Sequence, residues 1–201
     1  MAKIRIIFEK KGLFTFVNHM DLPLIFSRAA RRAGLVQEFT QGCSPHPRMS
    51  LASPLATGVE GLAEPADFWF ENADDESMRL WSEMLPEGLK IIKWRETGDG
   101  PGLAKIADAA VYRIRGEGIT LGEDAAAALA EAAKERNAFL DCSEAEGTIT
   151  LSVCDLEHCG ASVLVKALIA AGVVSGWADL RIERVLVGIW NAESKCVEPV
   201  I

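Results

Sequence analysis

The chain has 201 residues, 49% of them hydrophobic and 25% charged, with a formal net charge of −8. That composition suits one large or two small globular domains. It excludes a collagen-like or wholly disordered chain, and the acidic balance excludes indiscriminate nucleic-acid binding by the whole protein. No apolar run is long enough for a membrane span, and MAKIRIIFEK lacks the apolar core of a secretory leader. Five cysteines (43, 142, 154, 159 and 196) form an odd set without disulfide spacing, which predicts reduced thiols and a cytoplasmic protein. The charge is unevenly spread. Residues 1–59 carry eight Lys/Arg against three Asp/Glu, and residues 60–201 carry thirteen against twenty-six. A local basic patch on the first part is compatible with this, and so is simple attraction between the two parts.

In chain order, the β-branched run Lys3–Glu9 predicts a strand, with Leu13–Val17 extending it past Gly12. Asp21–Gly34 predicts a helix. Asp21 is placed to cap it, Pro23 lies in the first turn, and Leu22, Ile25, Phe26, Ala29, Ala30 and Ala33 form one apolar stripe. Val36–Thr40 reads as a second strand, 41–58 as a loop and Leu62–Glu71 as a third strand. Asp74 or Asp75 opens a helix that runs to about Met84 and stops at Pro86-Glu87-Gly88, and Leu89–Arg95 is a fourth strand. The order βαββαβ is the ferredoxin-like motif. Glu96–Pro101 is the expected linker. The second part repeats the order: strand Ala110–Gly116, helix Gly122–Asn137, strands Phe139–Cys142 and Thr148–Cys154, helix Ala161–Ala171, and strand Leu180–Trp190. The expectation is an α+β protein of two tandem ferredoxin-like modules with antiparallel sheets, residues 1–97 and 103–201.

Candidate functional residues concentrate in the first module. Arg28, Arg31 and Arg32 share a helix face; they complement the helix dipole, or they present planar donors to phosphate. In the stretch Phe39–Glu64, His46 stands between Pro45 and Pro47, with Arg48 next. The two prolines hold an extended backbone there. A histidine beside a fixed cation suits contact with phosphate, and as catalytic candidates His46 and His19 suit proton transfer near one. Gly42 and Gly58 allow close backbone approach. Two sets could in principle hold a metal, Cys142/Cys154/His158/Cys159 and His19/Asp21/His46. The spacing of the first is not a recognised zinc knuckle and buried thiols explain it better, while Asp21 of the second reads as a helix cap, so no metal and no cofactor are expected. The chain lacks a phosphate-cradling glycine loop, a dinucleotide fingerprint and a nucleophile elbow.

Several of these residues also carry a resemblance. Phe8-Glu9-Lys10, Asn18-His19-Met20-Asp21 with the helix to Arg31-Arg32-Ala33, Gly42-Cys43-Ser44-Pro45-His46-Pro47-Arg48, Ser53-Pro54-Leu55, Gly58-Val59-Glu60, Glu64 and Leu85-Pro86-Glu87-Gly88-Leu89 together resemble the radical-SAM-linked proteins. That is a bacterial domain family of unknown function, often fused to or encoded beside a cobalamin-type radical SAM protein. The motifs span about 80 residues. The chain departs from the family pattern at Asn18, where Ser is usual, and at Cys43-Ser44, where Phe-Asn is usual. The resemblance implies a radical SAM or RNA-processing companion and supplies no activity. The chain itself lacks the close trio of cysteines that an open-iron cluster needs.

Together these readings predict a cytoplasmic, non-enzymatic accessory protein that binds RNA or nucleotide and acts with a radical SAM or RNA-modifying partner. Arg28, Arg31, Arg32, Gly42, His46, Arg48 and Gly58 would form the binding set, away from any membrane. Two alternatives stand beside it. One is a docking module for the radical SAM protein through residues 41–64, anchored by Pro54, Leu55 and Val59. The other is a metal-independent RNA endonuclease using His46, by architectural analogy with CRISPR repeat-cleaving enzymes.

Overall fold

The computed structural model describes residues 1–98 and 100–201, so Asp99 of the expected linker lies outside the described residues. The protein is mixed α+β, built on one largely antiparallel sheet. Its strands are β1 (Ala2–Lys10), β2 (Met49–Leu51), β3 (Glu60–Phe70), β4 (Leu89–Thr97), β5 (Ala109–Gly116), β6 (Phe139–Ala145), β7 (Thr148–Cys154), β8 (Leu180–Asn191) and β9 (Cys196–Pro199). The helices are α1 (Leu22–Arg32), α2 (Asp75–Glu83), α3 (Leu103–Ile106), α4 (Glu123–Lys134) and α5 (Ala161–Ala170). Among the described residues, the sheet runs β4-β1-β3-β8-β5-β7-β6, with β2 on β3 and β9 on β8. No described helix is long and apolar enough to cross a membrane.

Successive strand residues point to opposite faces of a sheet, and β1 uses both. Ile4, Ile6 and Phe8 face α1 and α2 in a core with Phe26, Phe68, Phe70 and Trp81. Trp81 meets the phenylalanine rings edge-on, Phe68 at 4.8 Å between centroids, Phe68 and Phe70 stack on each other, and the Trp81 indole N–H donates to the Phe26 carbonyl at 3.0 Å. Ile7, the next residue after Ile6, belongs to the other core, with Tyr112, Leu129, Leu151, Leu164 and Val187 of the second part. The two cores therefore lie on opposite faces of a shared sheet. The parallel pairing of β3 with β8, Glu60 opposite Glu183 and Gly61 opposite Arg184, joins them.

The structure corrects several expectations. Leu13–Val17 does not extend β1; Gly12–Phe16 is a 3-10 turn, entered through the positive φ (+58°) of Gly12. Asp21 makes no side-chain cap on α1. Asn18 instead accepts the Met20 amide at 3.0 Å, capping the turn before it. Val36–Thr40 is not a regular strand. It makes single bridges, Gln37 to Phe70 and Phe39 to Pro47, because the prolines of 45 and 47 offer no amide for a continuous ladder. The strand that completes this edge is β2, inside the expected loop. Leu55 and Val59 are buried at 6% and 0% exposure, and the Pro54 carbonyl accepts from Arg184. An apolar docking surface anchored on Leu55 and Val59 is therefore not available at the surface. α3 and β9 lay outside the sequence reading.

Candidate ligand-binding groove

α1 turns one face to the first core, with Leu22, Phe26, Ala29 and Ala30 buried. Its other side carries Leu24, Ser27, Arg28 and Arg31. Opposite runs an irregular hairpin made by residues 36–40 and 46–51. The Thr40 amide donates to the His46 carbonyl at 2.8 Å, and the Arg48 amide to the Glu38 carbonyl at 2.6 Å. Between helix and hairpin lies a groove of about 540 Å³, with Leu24, Arg28 and Arg31 on one wall and Val36, Phe39 and Pro47 on the other. Leu24, Val36 and Phe39 are about half exposed, which is uncommon for side chains of this size gathered at one place. Arg28 and Arg31 have no side-chain hydrogen bond or ion pair among the described residues, so their donors face the groove unspent. Ser27 Oγ and Gln37 Oε1, of residues that also line it, are buried without a partner among the described residues.

The other expected residues are placed differently. Arg32 Nη2 donates to the Met84 carbonyl at 2.6 Å and ties α1 to the end of α2. Arg48 pairs with Glu38 at 2.9 Å and lies over the Trp69 ring at 4.3 Å, on the opposite side of the hairpin from Phe39. His46 is exposed. Its Nδ1 sits 3.1 Å from Thr40 Oγ1 and 3.3 Å from the Ser44 carbonyl, and its amide donates to Thr40 Oγ1 at 3.2 Å. These contacts close the hairpin tip, where Gly42 adopts a φ of +143°. Gly58 lies elsewhere: at a φ of +83°, it donates to the Thr15 carbonyl and stands against Phe16.

His19 joins a second, buried constellation. Lys10 is fully buried and its ammonium donates to the carbonyls of Val17 at 2.7 Å and Thr15 at 3.3 Å. Arg184 grips Glu64 bidentately, at 2.8 and 2.6 Å, and also reaches Ser53 Oγ and the carbonyls of Ser53 and Pro54. Lys10, His19, Ser53 and Glu64 line a cavity of only about 10 Å³, room for about one water and no substrate. Burial pushes the pKa of His19 down, with the Arg184 charge adding to it, and burial does the same to Lys10. The motif residues Lys10, His19, Ser53 and Glu64 thus converge on the joint between the two parts. The sequence offered no sign of the fifth member, Arg184, which sits 120 residues beyond Glu64.

The thiols and His158 are engaged locally. Cys142 faces the Ala126 carbonyl and Cys154 that of Asn137, Cys159 is buried, and His158 Nδ1 lies 2.9 Å from Asp155. Burial raises the pKa of all three cysteines, which disfavours the thiolate a metal would need. Among the described residues, no three His, Cys, Asp or Glu side chains gather as a metal site.

Residues 3–153 match the family described as "Uncharacterized protein conserved in bacteria (DUF2344)". No curated protein matches the chain. Among solved structures, an unknown protein from Galdieria sulphuraria is 13% identical, with 92% of this chain and 99% of that chain covered and a TM-score of 0.30. A protein described as a glycine cleavage system transcriptional repressor is 12% identical, covering 91% and 98%, at a TM-score of 0.26. The first two RRM domains of yeast poly(U) binding protein (Pub1) are 11% identical, covering 90% and 97%, at 0.22. At such scores these likenesses carry no argument.

Proposed function

The chain belongs to the bacterial DUF2344 family, and on that premise we propose that it is a cytoplasmic accessory protein that binds single-stranded RNA or nucleotide in the groove between α1 and the 36–51 hairpin. The observation that carries this reading is the pairing of two unspent arginines, Arg28 and Arg31, with the half-exposed ring of Phe39 across an otherwise apolar groove. Phosphate is recognised by planar cationic donors, and bases stack on exposed aromatic faces. The carboxylates that make the whole chain acidic lie mostly outside residues 1–59, so the charge needed locally is available. His46 enters this reading as the residue that holds the hairpin tip, not as a catalyst.

The fold supports a finer description. The first part places its strands in the order β4-β1-β3-β2 and the second in the order β8-β5-β7-β6. Both are βαββαβ units with the fourth strand beside the first and the second at the edge, so we read residues 1–97 and 103–201 as tandem ferredoxin-like modules. The radical SAM or RNA-modifying partner rests on the resemblance of the motif set. In this account the groove presents the RNA and the partner supplies the chemistry.

The test is fluorescence anisotropy of a labelled twelve-nucleotide single-stranded RNA with wild type and with Arg28→Gln plus Arg31→Gln. Wild-type binding that weakens at least tenfold in the double variant is the expected result. The slope of log affinity against log salt should also shrink by about 1.4, the value for two lost phosphate contacts on a single strand. Equal affinity and slope in the two proteins would remove the groove from the account.

A further inference from the structure

The face of the sheet opposite α1 and α2 carries an excess of positive charge that no single stretch of sequence reveals. Residues directly opposite on neighbouring antiparallel strands project to the same face. Arg5 stands opposite Asp67 on one side and Arg95 on the other; Lys3 stands opposite Trp69, and Ile7 opposite Lys93. Arg48 joins this face over the Trp69 ring, and Lys3 approaches the same ring at 5.7 Å. Asp67 is gripped by Arg5 at 2.7 and 2.9 Å and by Lys3 at 3.1 Å. All three are nearly buried, with side-chain exposures of 6%, 9% and 1% for Arg5, Lys3 and Asp67. Two buried cations thus share one carboxylate among the described residues.

Two cations on one carboxylate leave a net positive charge among the described residues, and the field of a nearly buried site is weakly screened. Above it lie the exposed heads of Lys93 and Arg95 on β4 and the half-exposed Arg48. Glu38 offsets Arg48 alone. We propose that this face is a second anion site, in which Lys93 and Arg95, two residues apart on one face of β4 and beside Arg5, take a phosphate group of the RNA strand. It rests on the RNA-binding reading only for the source of the phosphate. The site lies on the opposite face of the sheet from the groove and at its β4 edge, so the two take separate segments of a strand.

The test uses the full chain and two probes, labelled hexauridylate by anisotropy and inorganic phosphate by NMR of the arginine Nε–Hε signals. Lys93→Gln plus Arg95→Gln should weaken hexauridylate about fivefold and lower the salt slope by about 1.4, and phosphate should shift the Arg95 signal. Lys166→Gln, one exposed charge removed on α5, is the control. A double variant indistinguishable from this control, with no phosphate shift, would overturn the site. Loss of RNA binding in Arg28→Gln plus Arg31→Gln with the β4 variant unaffected leaves the groove standing and removes this site. A phosphate shift at Arg95 with no RNA bound by wild type supports the anion site and removes the groove reading.

Discussion

His19 shows how one side chain reports on its surroundings. It is followed at once by the residues that open α1 and looks, in sequence, like a partner for His46. In the fold it faces Lys10, Glu64 and Arg184 instead, and burial with the Arg184 charge pushes its pKa below the ordinary 6.5. The unfolded chain therefore binds a proton that the folded chain resists. Stability is fully present above about pH 6.5 and falls as the pH drops toward the folded-state value. Thermal melts between pH 7.5 and 5 should show this loss, and His19→Asn should flatten it. His158 acts in the opposite sense, because its bond to Asp155 raises its pKa and its contribution fades as the pH rises. The comparison is therefore cleanest in a His158→Gln background. An unchanged pH profile in His19→Asn would show that His19 does not sense the buried cations.

At the scale of elements, Gly88 connects a motif to a geometry. Leu85-Pro86-Glu87-Gly88-Leu89 ends α2 and starts β4. Gly88 has a φ of +88°, its carbonyl takes the Lys11 amide at 2.7 Å, and a Cβ there would stand 2.5 Å from the Lys11 carbonyl. Gly88→Ala combines a left-handed backbone with a backbone clash, so it should cost about 1–3 kcal/mol, read as a lowered urea midpoint. Gly34→Ala, with a φ of +78° but open space around it, should cost less. Equal losses would mean that the conformation alone governs both.

Elements were also where sequence reading succeeded or failed for physical reasons. The amphipathic stripe of α1 and the short β-branched and apolar runs of β1, β5 and β7 were legible because burial selects such patterns. Residues 36–51 were not. There two prolines break the ladder, and the true strand β2 has only three residues, all partly exposed, with no period to detect. The groove was half legible: Arg28 and Arg31 stood out as a cluster, while Phe39 did not, since its role depends on a hairpin that pairs it with Pro47. Arg32 joins them by helix spacing, and Arg48 and Gly58 join the set through the 39–64 stretch, but the fold gives each of these three a different neighbour. The cationic sheet face could not be read at all, because its members come from separate strands.

For the whole molecule, the central fact is one largely antiparallel sheet that carries a core on each face. The Arg184–Glu64 pair closes the seam, with Ser53 and Pro54 satisfying the remaining guanidinium donors. Breaking such a pair from one side strands a buried charge, so the seam is built to stay closed. On the RNA-binding reading the first half presents its groove to the strand, and the acidic second half should disfavour a strand that strays onto it. RNA bound in this way should contact only residues of the first half. The direct measurement is photo-crosslinking of the full chain to RNA containing 4-thiouridine, followed by mass spectrometry of the linked peptides. Crosslinks confined to peptides from α1 and from residues 36–51, with the outer face of β4 as the second site, are the predicted result. Crosslinks concentrated in residues 103–201, or none above those of a protein without RNA affinity, would contradict it.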